Sequence, residues 1–139
     1  MKKRVAFDLD ETLGIPVIEG NRIVGFSERK GMKELLEKLE KRYELVIWTV
    51  SKRTYLDKIL KCGLGKYFGK TYSWDEISCN WKDIRRIKAD YLIDDSPHHK
   101  IEASKFGLEN FYIIIPAYGS IEDQNDPLLW VRLIQQILL

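Results

Sequence analysis

Val5-Ala6-Phe7-Asp8-Leu9-Asp10-Glu11-Thr12-Leu13 is the stretch on which the fold turns. Three successive apolar residues without polar alternation fit a strand buried on both faces, as parallel sheets require. The run stops at Asp8, and a second carboxylate follows two residues later. In an open parallel sheet, ligands gather at the carboxyl ends of the strands. A polar cluster at this point therefore marks a candidate site as well as the end of an element.

The same pattern recurs downstream. Leu45-Val46-Ile47-Trp48 runs into Thr49-Val50-Ser51, Tyr91-Leu92-Ile93 runs into Asp94-Asp95-Ser96-Pro97, and Phe111 to Ile115 reads as a further long strand. Lys70-Thr71-Tyr72 adds a short one. The segments between them carry a helical period. Met32 to Arg42 places Leu35, Leu36 and Leu39 on one face, and Ser51 to Cys62 does the same with Tyr55, Leu56, Ile59 and Leu60 before Gly63 stops it. A last helix is expected from Asp126-Pro127, a capping residue followed by proline in the first turn. Strands alternating with helices predict an α/β fold, a Rossmann-like three-layer α/β/α sandwich around a parallel sheet. Pro16 to Val24 departs from the pattern and reads as a hairpin turned at Gly20-Asn21, placed to overhang the first strand's end.

Composition sets the outer bounds. A chain of 139 residues with 45% apolar content buries roughly 68% of its unfolded surface, so residues 1–139 are expected to form one domain without disulfides. Twenty-three Lys and Arg against 21 Asp and Glu leave a formal charge of +2, too little to advertise nucleic acid or an acidic membrane through a global field. Cys62 and Cys79 are too few and too far apart for a zinc cluster or redox pair, and read as reduced thiols of a cytoplasmic protein. The apolar run after Met1-Lys2-Lys3-Arg4 is too short for a secretion signal. No run approaches the ~20 residues of a membrane span, so no membrane partner is expected.

Two carboxylates at one strand end, joined by Asp94-Asp95 from another, concentrate negative charge that a cation must balance. Oxygen-only ligands suit Mg²⁺, which is held by one or two carboxylates, waters and a substrate phosphate. The Thr49 hydroxyl and Lys82 ammonium are then candidates for the remaining phosphate oxygens. This combination points to phosphoryl transfer.

Asp8-Leu9-Asp10-Glu11-Thr12-Leu13, Thr49, Lys82 and Asp94-Asp95, in that order, resemble the four motifs of the haloacid dehalogenase superfamily. The chain most resembles the small phosphatases of the RNA polymerase C-terminal domain and the NLI-interacting-factor-like family, through Ile47-Trp48-Thr49-Val50-Ser51 with Tyr55, Trp81-Lys82-Asp83-Ile84 and Ile93-Asp94-Asp95-Ser96-Pro97. Several polymerase-tail phosphatases carry Asp-Asn where this chain has Asp94-Asp95. The resemblance implies a haloacid-dehalogenase-like fold, with Asp8 as nucleophile through an aspartyl-phosphate and Asp10 as general acid and then base. Mg²⁺ would sit on Asp8, the Asp10 backbone carbonyl and Asp95, with Asp94 supporting the metal or Lys82. The intervals between Asp8, Thr49 and Lys82 leave no room for a cap domain, so the hairpin is the expected flap.

The implied substrate is a phosphorylated macromolecule, a protein or else an oligonucleotide end; a binding module without turnover is the contrasting class. The hairpin, the Trp74 to Arg86 loop and Tyr118 are the candidate substrate surfaces. Trp48, Trp74, Trp81 and Trp130 read first as packing residues, with stacking by Trp74 and Trp81 beside Lys82, Arg85 and Arg86 as the second reading. Ser51 is expected to cap the helix that follows it. His98-His99 are expected to be solvated helix residues.

Overall fold

The computed structural model describes residues 1–139. Its strands are β1 (Lys3–Phe7), β2 (Gly14–Glu19), β3 (Arg22–Glu28), β4 (Tyr43–Trp48), β5 (Lys70–Tyr72), β6 (Tyr91–Asp94) and β7 (Tyr112–Ile114). Its helices are α1 (Met32–Leu39), α2 (Arg53–Leu60), α3 (His98–Ser104), α4 (Ile121–Asn125) and α5 (Leu129–Leu138). Five strands form one sheet in the order β5-β4-β1-β6-β7, every neighbouring pair parallel. The chain builds outward from β1 through β4 to β5, then returns to β1's other side for β6 and β7. That reversal places the topological switch between β1 and β6, where a crevice opens at the strand ends.

Alternation along the strands sorts the core into two faces. Val5, Phe7, Leu45, Ile47, Ile93 and Ile113 pack against α1, α2 and α5; Ala6, Val46, Trp48, Leu92 and Tyr112 face Ile84, Ile87, Ala89 and Ala103. The second layer is thin, built from α3 and the single 3₁₀ turn Ile84–Ile87. An eight-residue helix such as α1 is marginal alone. What holds it is the burial of Met32, Leu35, Leu36 and Leu39, each worth about 1.5–3 kcal/mol.

The hairpin is antiparallel β2–β3, longer than Pro16 to Val24, with a bulge at Val17/Ile18 and Gly20 at φ 60° in the turn. Two helix expectations shift. Helix α2 begins at Arg53 rather than Ser51, and its first free N–H group is met by Asp75 from the loop after β5 (Arg53 N to Asp75 Oδ2, 2.8 Å), so Ser51 does not cap it. Asp126-Pro127 precedes α5 without capping it; Ser120 instead caps the short α4 by accepting from the Asp123 N–H at 3.3 Å. Both cysteines are free thiols. No helix is long and apolar enough to cross a membrane.

Candidate active site

At the switch point, Asp8 leaves the end of β1 with its backbone N–H bonded to the Ile93 carbonyl at 2.9 Å. Its two carboxylate oxygens are claimed from opposite sides: Lys82 Nζ donates to Oδ1 at 2.9 Å and Thr12 Oγ1 lies 3.0 Å from Oδ2. The same Lys82 ammonium reaches Asp94 Oδ2 at 3.0 Å, and Asp94 Oδ1 accepts from the Ser96 backbone N–H at 2.9 Å. Lys82 is fully buried. Burial alone would strip its proton, but Asp8 and Asp94 outweigh that and raise its pKa, so it stays an ammonium.

Asp95 is the uneasy member of the cluster. Its Oδ1 stands 3.1 Å from Thr12 Oγ1, a hydroxyl with one proton facing two carboxylates. Burial first, then Asp8, pushes the Asp95 carboxyl up to about 7. Burial raises Asp94 as well, against the pull of Lys82. Carboxylate oxygens of Asp8, Asp94 and Asp95 lie within 4.8 Å of one another. Three carboxylates against one ammonium leave an excess of negative charge in a hard-oxygen donor set, which fits a divalent cation such as Mg²⁺.

Asp10 faces the same cleft from a different environment. Tyr55 donates to its Oδ1 at 2.5 Å, and Ser51 Oγ lies 3.5 Å from Oδ2. Burial, with Asp8 and Glu11 adding repulsion, raises the Asp10 carboxyl above its ordinary value while those two bonds pull it down. Glu11 itself takes a left-handed backbone (φ 64°), with its N–H bonded to the Gly14 carbonyl at 2.8 Å and its carbonyl accepting from the Tyr118 N–H at 2.8 Å. This tight turn aims Asp8 and Asp10 into one space. Thr49 follows directly on β4, buried, and its Oγ1 accepts from the Ser51 N–H at 3.1 Å. Together Asp8, Asp10, Thr49, Lys82, Asp94 and Asp95 surround a cleft of about 270 Å³.

Residues 3–131 match the family of NLI interacting factor-like phosphatases. The chain belongs to that family. No curated protein matches the sequence. The chain shares its fold with Fcp1, an essential RNA polymerase II CTD phosphatase (20% identity, TM-score 0.65), aligning over 98% of this chain and 49% of that one. The beryllium-fluoride-bound Fcp1 of fission yeast aligns at 16% identity and TM-score 0.62, over 97% and 51%. A haloacid dehalogenase-like hydrolase of Xanthomonas campestris aligns at 13% identity and TM-score 0.65, over 99% and 96%. The chain thus spans about half the length of the Fcp1 chains and nearly all of the bacterial hydrolase. The family resemblance and the α/β fold expected from the motifs both hold.

The Asp10 side chain is engaged by Tyr55 and stands apart from the carboxylates of Asp8, Asp94 and Asp95. Other expectations around the cleft need correction. Trp81 is packing, not a stacking platform: its ring lies on Phe106 at 5.8 Å and near Tyr112 at 6.3 Å. Arg85 pairs with Asp83 and lies over Phe106. His98-His99 are not both solvated, since His99 is buried in the wall of the cleft. Its Nε2 is 3.7 Å from Asp94 Oδ2, too long for a hydrogen bond, and burial with the Lys82 charge pushes the imidazole down to about 4.

Sequence reasoning also passed over Arg29. It reads as one charge in a surface run, Glu28-Arg29-Lys30, yet its guanidinium is buried. It reaches the carbonyls of Glu11, Thr12 and Pro116 and the carboxylate of Asp123. Tyr55 carried a weak signal, a tyrosine six residues beyond the threonine after β4. Its packing face was visible in the helical period; its hydroxyl's partner was not.

Proposed function

We propose that this phosphatase hydrolyses phosphomonoesters with Mg²⁺ through a phosphoryl group carried on Asp8, and that its substrates present the phosphate on a macromolecule. The observation that carries the chemistry is Lys82, whose buried ammonium is bonded at once to Asp8 and Asp94. That contact orients the Asp8 carboxylate and keeps positive charge where a phosphate would enter. Asp8, Asp95 and the Asp10 backbone carbonyl are the groups that would hold the metal, with Asp94 supporting Lys82. Bound there, the ion supplies charge neutralisation for the phosphoryl oxygens.

In the first step an Asp8 oxygen forms a bond to phosphorus as the bond to the leaving oxygen breaks. Asp10, whose carboxyl burial raises above its ordinary value, is the group placed to give that oxygen its proton. In the second, Asp10 as carboxylate takes a proton from the water that attacks the phosphoryl group, and Asp8 leaves unchanged. Thr49 contacts the transferring phosphoryl group with its hydroxyl. Asp8→Asn should keep the fold and lose essentially all turnover of an aryl phosphate, and a chelator should silence the parent protein. Near-normal turnover in Asp8→Asn would overturn the covalent reading.

The macromolecular substrate is supported by the likeness to Fcp1 and by what borders the cleft. The β2–β3 hairpin begins beside Asp10, bridged to it at Gly14, and Ile15, Val17, Ile18 and Val24 on the hairpin, with Val50 in the cleft lining, are exposed. An open cleft draws binding energy from such surfaces rather than from a closing cap. A phosphopeptide should therefore exceed a sugar phosphate in kcat/KM by on the order of 10²-fold, about 2.7 kcal/mol of transition-state binding. Ile18→Asp should erode that preference and spare an aryl phosphate. The same preference for a phosphorylated oligonucleotide would transfer the assignment to nucleic-acid ends.

A further inference from the structure

Lys82 belongs to no strand or helix; it lies between β5 and the 3₁₀ turn at Ile84. Irregular backbone buried beside a site must find partners for its N–H and C=O outside any ladder. Here side chains supply them. The Lys82 N–H donates to His99 Nδ1 at 2.9 Å, and the Lys82 carbonyl accepts from Tyr112 Oη at 2.8 Å. Tyr112 Oη in turn accepts from the Ile84 N–H at 2.9 Å, and His98 Nε2 donates to the Asn80 carbonyl at 2.9 Å. Four main-chain groups of one loop are thus held by α3 and β7.

The His99 ring has one protonation pattern consistent with this. A backbone amide only donates, so Nδ1 carries no proton and the neutral ring's proton sits on Nε2, on the side of Asp94. His99 also stands four residues after Asp95 on the helix that opens directly beyond the Asp94-Asp95 pair, so it ties the height of Lys82 to that pair. A lysine ammonium on a flexible four-carbon stem meets two carboxylates at 2.9 and 3.0 Å only if its main chain is fixed.

We propose that His99 and Tyr112 are positioning residues for the phosphatase reaction, clamping the Lys82 main chain from either side so that its ammonium lies between Asp8 and Asp94. This rests on the role assigned to Lys82 above. The test measures kcat and KM for an aryl phosphate with Mg²⁺, at a temperature where circular dichroism shows each variant folded. His99→Leu and Tyr112→Phe should lower kcat by on the order of 10-fold to 10²-fold, the cost of misplacing a reacting group by about 1 Å, with the Mg²⁺ concentration dependence unchanged. His99→Asn, whose side-chain oxygen takes the place of Nδ1, should recover most of the loss, whereas His99→Gln, which extends toward Nε2, should not.

Because the clamp acts through Lys82, His99→Leu added to Lys82→Ala should cost less than a further 2-fold. Full kcat in both His99→Leu and Tyr112→Phe beside an inactive Lys82→Ala would overturn the clamp and leave the site assignment standing. So would losses that multiply in the His99→Leu, Lys82→Ala double variant. Full activity in Lys82→Ala would instead remove the site assignment itself.

Discussion

The Asp10 carboxyl shows how a neighbour one helix away sets a single group's chemistry. Burial and the negative neighbours Asp8 and Glu11 raise its pKa, and the Tyr55 hydroxyl, favouring the charged form, lowers it. Tyr55→Phe removes a lowering influence, so Asp10 should hold its proton to higher pH. The alkaline limb of kcat/KM for an alkyl phosphate, where the leaving oxygen needs the acid, should then move upward in a pH–rate profile. Asp10→Asn should abolish that limb and slow alkyl phosphates by about 10²- to 10⁴-fold, while sparing the first-turnover burst of an activated aryl phosphate. Asp8 and Asp10 were both visible in the sequence, and the family resemblance implied separate roles for them. The surroundings of Asp10 were not visible, because they depend on Tyr55 and Ser51 arriving from 41 to 45 positions away along the chain.

At the scale of elements, two contacts set how the hairpin and α2 meet the cleft. Gly14 begins β2 directly beside the site, bridged to Asp10. A Cβ there would lie 2.1 Å from the Ser27 carbonyl oxygen and 2.7 Å from the Phe26 ring. Phe26 can turn aside but a backbone carbonyl cannot, so Gly14→Ala should destabilise by about 1–3 kcal/mol in a denaturant titration and displace the Glu11 turn, lowering kcat. The start of α2 is held to the β5 loop by Arg53, which pairs with Glu76 and donates to the Thr71 carbonyl at 2.8 Å. Arg53 chiefly, with Ser73, pushes Glu76 down to about 2. A lowered folded-state pKa means the contribution is present above the ordinary carboxyl value of 4.5 and lost as pH falls toward 2. The melting-temperature gap between the parent and Glu76→Gln should therefore be widest near neutral pH and close steadily below about pH 4.5.

Across the whole molecule, Arg29 joins the end of the hairpin to the C-terminal third. Its ion pair with Asp123 (3.0 Å) is buried, it lies over Trp130 at 4.9 Å, and it holds the carbonyls of Glu11 and Thr12 in the turn after Asp10. Removing one member of a buried pair strands the other's charge, so Arg29→Met should cost about 3–5 kcal/mol in equilibrium unfolding.

The chain's local chemistry was enough to determine the parallel α/β architecture, the hairpin, the short strand Lys70–Tyr72 and the six polar residues that meet at the cleft. Apolar runs buried on both faces and carboxylates at strand ends are properties of neighbours in sequence, and strand ends converge wherever parallel strands share a sheet. Tertiary structure alone decided that Trp81 and Arg85 turn to Phe106 instead of the cleft, that Asp75 rather than Ser51 satisfies the start of α2, and that Arg29 is buried. It also decided that His99 joins the cleft wall. Each of these is a contact over a long stretch of chain, settled by which polar group lost its water and which partner was within reach when it did. A charged or aromatic residue looks the same in sequence whether its partner is solvent or a buried carbonyl.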